Sequence, residues 1–517
     1  MRRIPILIAS ALALVLLGGA ALAGAGAWTW QRAVLDTTGQ LAFDQPLAIP
    51  PLLEGELDDD GHRVFDLAAG VGQHDLGGGP METWGYNGDY LGPTLRASRG
   101  EQVTVNIDNQ LPDPTTVHWH GMGLPAAMDG GPHTAIGPGE SAAPSWRIDQ
   151  PAATLWYHPH PHGETEQQVY RGLAGLFLIE DEPGAALPLP DEYGVDDIPV
   201  VVQDKQFDDG ELDASANFLS GVGILGDSIV VNGTPSPYLD VTTERVRLRL
   251  LNGSTARSYD FGFADDRRFA LIGTDGGLLS EPHHTTRVML SPGERAELVV
   301  ELAPAETATL RSYPPELGVN AYGSRFGGGD DTLDILQLRA ADQLAPRPEV
   351  PTDLVEVPRL DPAEAVATRS LQLGGSHING QRMDMSRIDF AVTAGSVEVW
   401  RVQNADGTPH NFHIHDVQFQ VLSVGGAGPP PELAGWKDTV YLPAGVSFEL
   451  IARFSDYPDP DIPYMFHCHL LRHEDDGMMG QFVLVEEGQS AGDLDQHEDH
   501  GHGHHDGHGA NHDHDQQ

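Results

Sequence analysis

The chain has 517 residues, 40% of them hydrophobic, which is too long for one core and suggests about three domains of roughly 100 to 200 residues. Its 61 glycines and 39 prolines, set among short Val- and Leu-rich runs, favour many strands and turns over long helices, hence an all-β protein. A formal net charge of −47 excludes nucleic acid and anionic membrane surfaces as partners, because their phosphates would be repelled, whereas metal cations would be drawn in.

Residues 1–30 read as an export segment. Arg2 and Arg3 precede a stretch with no charge until Arg32, and Ala21, Leu22 and Ala23 offer a peptidase site. The stretch is longer than an ordinary signal core, so it is either a cleaved signal peptide or an uncleaved membrane anchor. Either way the protein is expected to be exported: periplasmic, on the cell surface or secreted. The one cysteine, Cys468, can form no internal disulfide, and a bound metal would protect its thiol in an oxidising compartment.

Three stretches then repeat one pattern. "GEQVTVNIDNQ" runs to Asn109, "TERVRLRLLNGS" to Asn252 and "AGSVEVWRVQNAD" to Asn404, each alternating apolar and polar residues before an Asn. They recur roughly 150 residues apart, about one domain each. A second echo follows each at Pro138, Pro292 and Pro443, a turn leading into another alternating strand. The repeat predicts three β-sandwiches at residues 45–182, 195–345 and 365–488, joined by Pro- and acid-rich linkers. Residues 489–517 form a His-, Asp- and Gly-rich tail that cannot build a core.

Eight of the histidines outside that tail fall into four His-X-His pairs. In chain order these are His118 and His120 in "HWHG", His158 and His160 in "YHPHPHG", His413 and His415 in "PHNFHIHD", and His467 and His469 in "FHCHLL". On a strand, residues i and i+2 share a face, so each pair delivers two imidazoles side by side and eight can converge on one pocket. A single pair is weak evidence; four such pairs are a specific signal. Cys468 points opposite to its two neighbours. With His410, His473 and Met478 it completes the His₂Cys set with a weak axial Met that marks a blue-copper centre, and neighbouring Met479 competes for the axial place. A structural zinc site would want more thiolates.

These motifs, in this order, resemble the multicopper oxidases, most closely the three-domain bacterial copper efflux oxidases and their laccase and bilirubin-oxidase relatives. The likeness runs from Trp84 to Glu487. It implies three cupredoxin-like Greek-key sandwiches and four copper ions, with none held by the second domain. By motif position, His410, Cys468, His473 and Met478 would hold a type 1 copper, and His118 and His413 the type 2 ion. His120, His158 and His469 would hold one type 3 ion, and His160, His415 and His467 the other. Glu474 matches the family's proton-donating acid and Asp129 a carboxylate aiding proton delivery near type 2.

The resemblance further implies that a reducing substrate gives up electrons singly while O₂ is reduced to water. Asp406, four residues before His410, matches a carboxylate that contacts Cu(I), which suggests a cuprous oxidase in copper tolerance. The chain departs from those efflux oxidases in having no Met between Met289 and Met383, which weakens the cuprous-oxidase reading without excluding it. The alternative is a laccase acting on phenols or bilirubin-like compounds. The tail's eight histidines from His497 to His514 are expected to take up extra metal ions. A nitrite reductase is excluded by the four complete pairs. An exported copper-storage or structural cupredoxin protein is the reading from a different class. A monomer is expected.

Overall fold

The computed structural model describes residues 24, 26–216 and 219–492; most of the export segment, the tail beyond Gly492 and their expected roles lie outside the described residues. Among the described residues no helix is long and apolar enough to cross a membrane. The body is three cupredoxin-like β-sandwiches, each with its own apolar core. In the first, the sheet containing Arg63–Asp75 and Gln102–Asn109 closes over the sheet containing Gly175–Glu180, Ala153–His158 and His118–His120. Phe65 and Val105 from one sheet meet Leu155 and Phe177 from the other. The middle sandwich pairs a seven-stranded with a six-stranded sheet around residues such as Ile198, Leu248, Phe261 and Leu336. The third packs two five-stranded sheets around Leu371, Leu450, Phe412 and Phe482, and its core also takes in Ala126, Val222 and Ala256 from the other two units.

Gln45–Pro46 pairs in parallel with Pro237 and Tyr238 of the middle unit, and the first strand to join the first sandwich is Leu52–Leu53, against Thr94 and Leu95. The entering strand is shared because a two-residue strand gains its hydrogen bonds wherever an edge is open.

The threefold sequence echo has a common physical cause. Asn109, Asn252 and Asn404 are fully buried. Each Oδ1 accepts from the backbone N–H two residues on, at Leu111, Ser254 and Asp406. Each Nδ2 donates to two carbonyls, one in the following turn and one just before the second echo: Ile136 at 2.8 Å, Leu290 at 2.9 Å and Leu442 at 3.0 Å. The Asn carbonyls accept in turn from Gly139, Gly293 and Gly445, whose φ of 74°, 86° and 74° is left-handed backbone that suits glycine. Asparagine thus fastens the end of one strand to the turn that starts another. Asn252→Ala is expected to cost about 2–4 kcal/mol by stranding these groups; urea unfolding of the variant checks it.

Candidate metal centre

The first and third sandwiches face each other across the His-bearing ends of their strands. His118–His120 is the edge strand of its sheet and pairs with Ala153–His158, placing His118 opposite His158. Across the gap, His413 in His410–Ile414 lies opposite His467, the last residue of Asp459–His467. Only the first His-X-His pair lies wholly within a strand. His160, His415 and His469 stand just past strand ends, His160 between Pro159 and Pro161, so the shared face is completed by turns rather than by pleating alone.

Eight imidazoles converge there, all buried. His160 and His415 each bring Nε2 to 3.2 Å from His467 Nε2. His158 Nε2 lies 3.4 Å from both His469 Nε2 and His120 Nδ1. His118 and His413 each turn Nδ1 to a backbone carbonyl, Asp129 O at 3.0 Å and Asp438 O at 2.9 Å, and the Nε2 of each is buried with no partner. An imidazole that donates through Nδ1 has its lone pair on Nε2, so each of these two nitrogens offers a lone pair that a metal cation could take.

Burial pushes His120, His158, His413 and His415 well below the ordinary imidazole pKa, and the neighbouring histidines add to the effect. Burial takes His160 down to about 4 and His469 to about 3. His467 moves upward, because Glu474 outweighs its burial. Six of the eight are thereby held neutral near pH 7 and free to act as ligands.

A second set lies on the opposite face of the same segment. Cys468 Sγ is 3.7 Å from His410 Nδ1 and 3.6 Å from His473 Nδ1, and these two nitrogens are 3.1 Å apart. The centre of that triangle is about 2 Å from each corner, a metal-bond length. Against burial, which would raise it, hydrogen bonds to His410 and His473 bring the thiol down to about 5. His410 is burdened by burial, but Asp406 and Cys468 lift it to about 9. Met478 packs in the same apolar cluster as Cys468, whereas Met479 lines a separate small cavity with Asn379 and Phe466. His473 comes from the helix Leu471–Asp475, and its Nε2 faces Gly221 O of the middle unit at 2.7 Å.

The three carboxylates singled out from sequence all reach this region. Asp129 Oδ2 accepts from His415 Nδ1 at 2.7 Å. Glu474 Oε2 lies 3.1 Å from His467 Nδ1 and Oε1 3.5 Å from His160 Nε2, yet neither contact is a well-directed hydrogen bond, since the His467 Nδ1 is turned to Cys468 O. Burial would raise Glu474, but His160 and His467 hold it well below the usual carboxylate range. Asp406 Oδ1 is 3.2 Å from His410 Nε2, and its side chain keeps 32% exposure, the partly open edge of the thiolate site. Sequence reasoning passed over Asn411, Asp438 and Arg295. Asn411 Oδ1 accepts from His469 N at 2.6 Å and lies 3.6 Å from Cys468 Sγ. Its place inside "PHNFHIHD" was the available signal; Asp438 and Arg295 had none, because their partners are distant in sequence.

The family described as multicopper oxidase matches residues 70–184 and again 352–488. The chain is 35% identical to multicopper oxidase mco of Staphylococcus haemolyticus over 448 residues, covering 85% of this chain and 92% of the relative. It is 37% identical over 447 residues to cell division protein FtsP of Escherichia coli, covering 85% and 93%. The solved laccase-like multicopper oxidase CueO of an Ochrobactrum species superposes with a TM-score of 0.77 at 35% identity, over 85% of this chain and 100% of that one.

Proposed function

The chain belongs to the multicopper oxidase family, and on that premise we propose that it is a four-copper oxidase that takes electrons from Cu(I) and delivers them to O₂. The observation that supports this most directly is the pair of buried imidazole Nε2 atoms at His118 and His413 that have no hydrogen-bond partner, beside two three-histidine groups and a His₂Cys set. His410, Cys468, His473 and Met478 would hold the type 1 ion; His118 and His413 type 2; His120, His158 and His469 one type 3 ion; His160, His415 and His467 the other. Bound copper would supply one-electron acceptance at the first centre and four-electron reduction of O₂ to water at the second.

The chain's own residues do the rest. Cys468 adjoins His467 and His469 directly in the backbone, so the two centres share a continuous covalent bridge. Asp129 orients His415, and Glu474 lies close enough to His160 and His467 to pass protons into the cluster. Four Cu(I), one O₂ and four protons give four Cu(II) and two waters, so each turnover draws four protons past such groups. Asp406 meets the donor at the His410 edge, where a carboxylate on a strongly acidic protein favours a cation. Export to the periplasm, cell surface or medium, with a role in copper tolerance and extra metal on the tail, fits this reading.

Two other readings have specific support. The Ochrobactrum relative carries a description of activity towards lignin model compounds, which points to phenolic donors. The relatives named cell division protein point to a role in cell division. Oxygen uptake by the copper-loaded protein separates all three. Faster uptake with Cu(I) than with a phenol is expected. Phenol turnover without Cu(I) oxidation would make the protein a laccase, and colour without oxygen uptake would remove the oxidase assignment.

A further inference from the structure

Of the eight clustered histidines, seven turn Nε2 inward, with Nδ1 on a carbonyl or carboxylate or without a partner. His120 alone is reversed. It presents Nδ1 to His158, and its Nε2 lies 3.0 Å from Asp438 Oδ1 and 3.0 Å from Thr439 Oγ1. A carboxylate can only accept, so Nε2 carries the proton and Nδ1 the lone pair.

Asp438 is itself held from the middle sandwich, the unit without candidate ligands. Arg295 grips it with a two-pronged contact, Nη1 to Oδ1 at 2.7 Å and Nη2 to Oδ2 at 2.6 Å. The other guanidinium hydrogens go to the carbonyls of Thr154, Gly293 and Asp275, each at 3.0 Å, so all five donors are used. Both side chains are completely buried. A lone buried carboxylate would be expensive, and a bidentate guanidinium both balances its charge and fixes its plane. The plane then sets the direction of the His120 N–H. Gly121 leaves room for the pair: its φ is 84°, and a Cβ there would run into Asp438 Oδ2.

We propose that Asp438 and Arg295 are positioning residues for the cluster, and that the middle sandwich acts on it by fixing His120 in the Nε2–H form with Nδ1 free for metal. The metal half of this statement rests on the four-copper reading; the tautomer half does not.

Asp438→Asn and Arg295→Lys test it, each read in two ways. In the protein stripped of metal, imidazole nitrogen NMR should show the Nε2–H form of His120 in the wild type and its loss or mixture with the other form in Asp438→Asn. With copper, both variants should bind the cluster ions about 10- to 100-fold more weakly while the Cys468 colour keeps its full intensity. A double variant should cost no more than either single one, as expected for two groups acting through one contact. A folded Asp438→Asn protein that keeps both the Nε2–H form and wild-type cluster affinity overturns the proposal. If Asp438→Asn does not fold, Arg295→Lys, which keeps the charge but not the fork, decides on the same two measurements. A wild type that shows the Nε2–H form yet takes up no copper would support the positioning and sink the oxidase reading instead.

Discussion

Replacing Cys468 with serine is expected to abolish the blue absorption of the copper-loaded protein and to reduce donor oxidation below about 1% of wild type, a larger loss than the 10- to 100-fold typical of groups behind the ligands. The thiol is fully buried and stands 3.6 and 3.7 Å from the two Nδ1 atoms that complete its set. Those neighbours are also why it is a thiolate at neutral pH, brought down to about 5 against the penalty of burial. Serine in the same place has a far higher pKa and offers a hard neutral oxygen instead of a soft anion. The fold should survive. The substitution removes little volume, no disulfide is lost, and the hydroxyl can donate to Asn411 Oδ1, which already faces the sulfur. Unfolding is expected to shift by no more than about 1–2 kcal/mol. Copper per chain should fall by one ion, because the eight clustered histidines are untouched. Absorption, metal content and oxygen uptake on one preparation check all three statements, and a variant that stays blue would remove Cys468 from the site.

Glu474→Gln should leave colour and copper content unchanged but slow oxygen consumption by about 100-fold, the lower end of what a positioned acid or base contributes. Glu474 is buried to 1% exposure, and both of its oxygens lack hydrogen-bond partners. Such a carboxylate is costly unless it serves a purpose beyond stability. It sits between His160 and His467, one from each sandwich. Glutamine keeps the shape but loses both the proton exchange and the charge, whereas a role in packing alone predicts no change in rate. Glu474→Asp separates the two further, since it restores a titratable group and should recover part of the rate. Equal oxygen uptake by Glu474→Gln and wild type would show that the protons arrive by another route, with Asp129 the next group to replace.

Much of the site was readable because its signals are local. A His-X-His spacing is complete within three residues, and "FHCHLLRHEDDGMMG" brings Cys468, His473, Glu474 and Met478 within one short segment. Alternation on an extended backbone was enough to put Cys468 on one face and His467 and His469 on the other. The threefold Asn echo was legible for the same reason, since a buried Asn at a strand end repeats wherever the same turn is built. The choice between Met478 and Met479 could not be made from spacing, because both follow the helix directly; packing beside Cys468 distinguishes them.

Sequence by itself therefore determined the fold class and the order along the chain of the residues that are candidate ligands. Tertiary structure decided which lone pair each histidine offers. That choice depends on what its other nitrogen meets, and those partners come from far away: Asp438 is 318 residues from His120, Arg295 is 143 residues from Asp438, and Gly221 is 252 residues from His473. No periodicity encodes contacts of that range. They exist only once three separate cores have packed together, which brings the middle sandwich to both histidine sets, through Arg295 at Asp438 and through Gly221 O at His473.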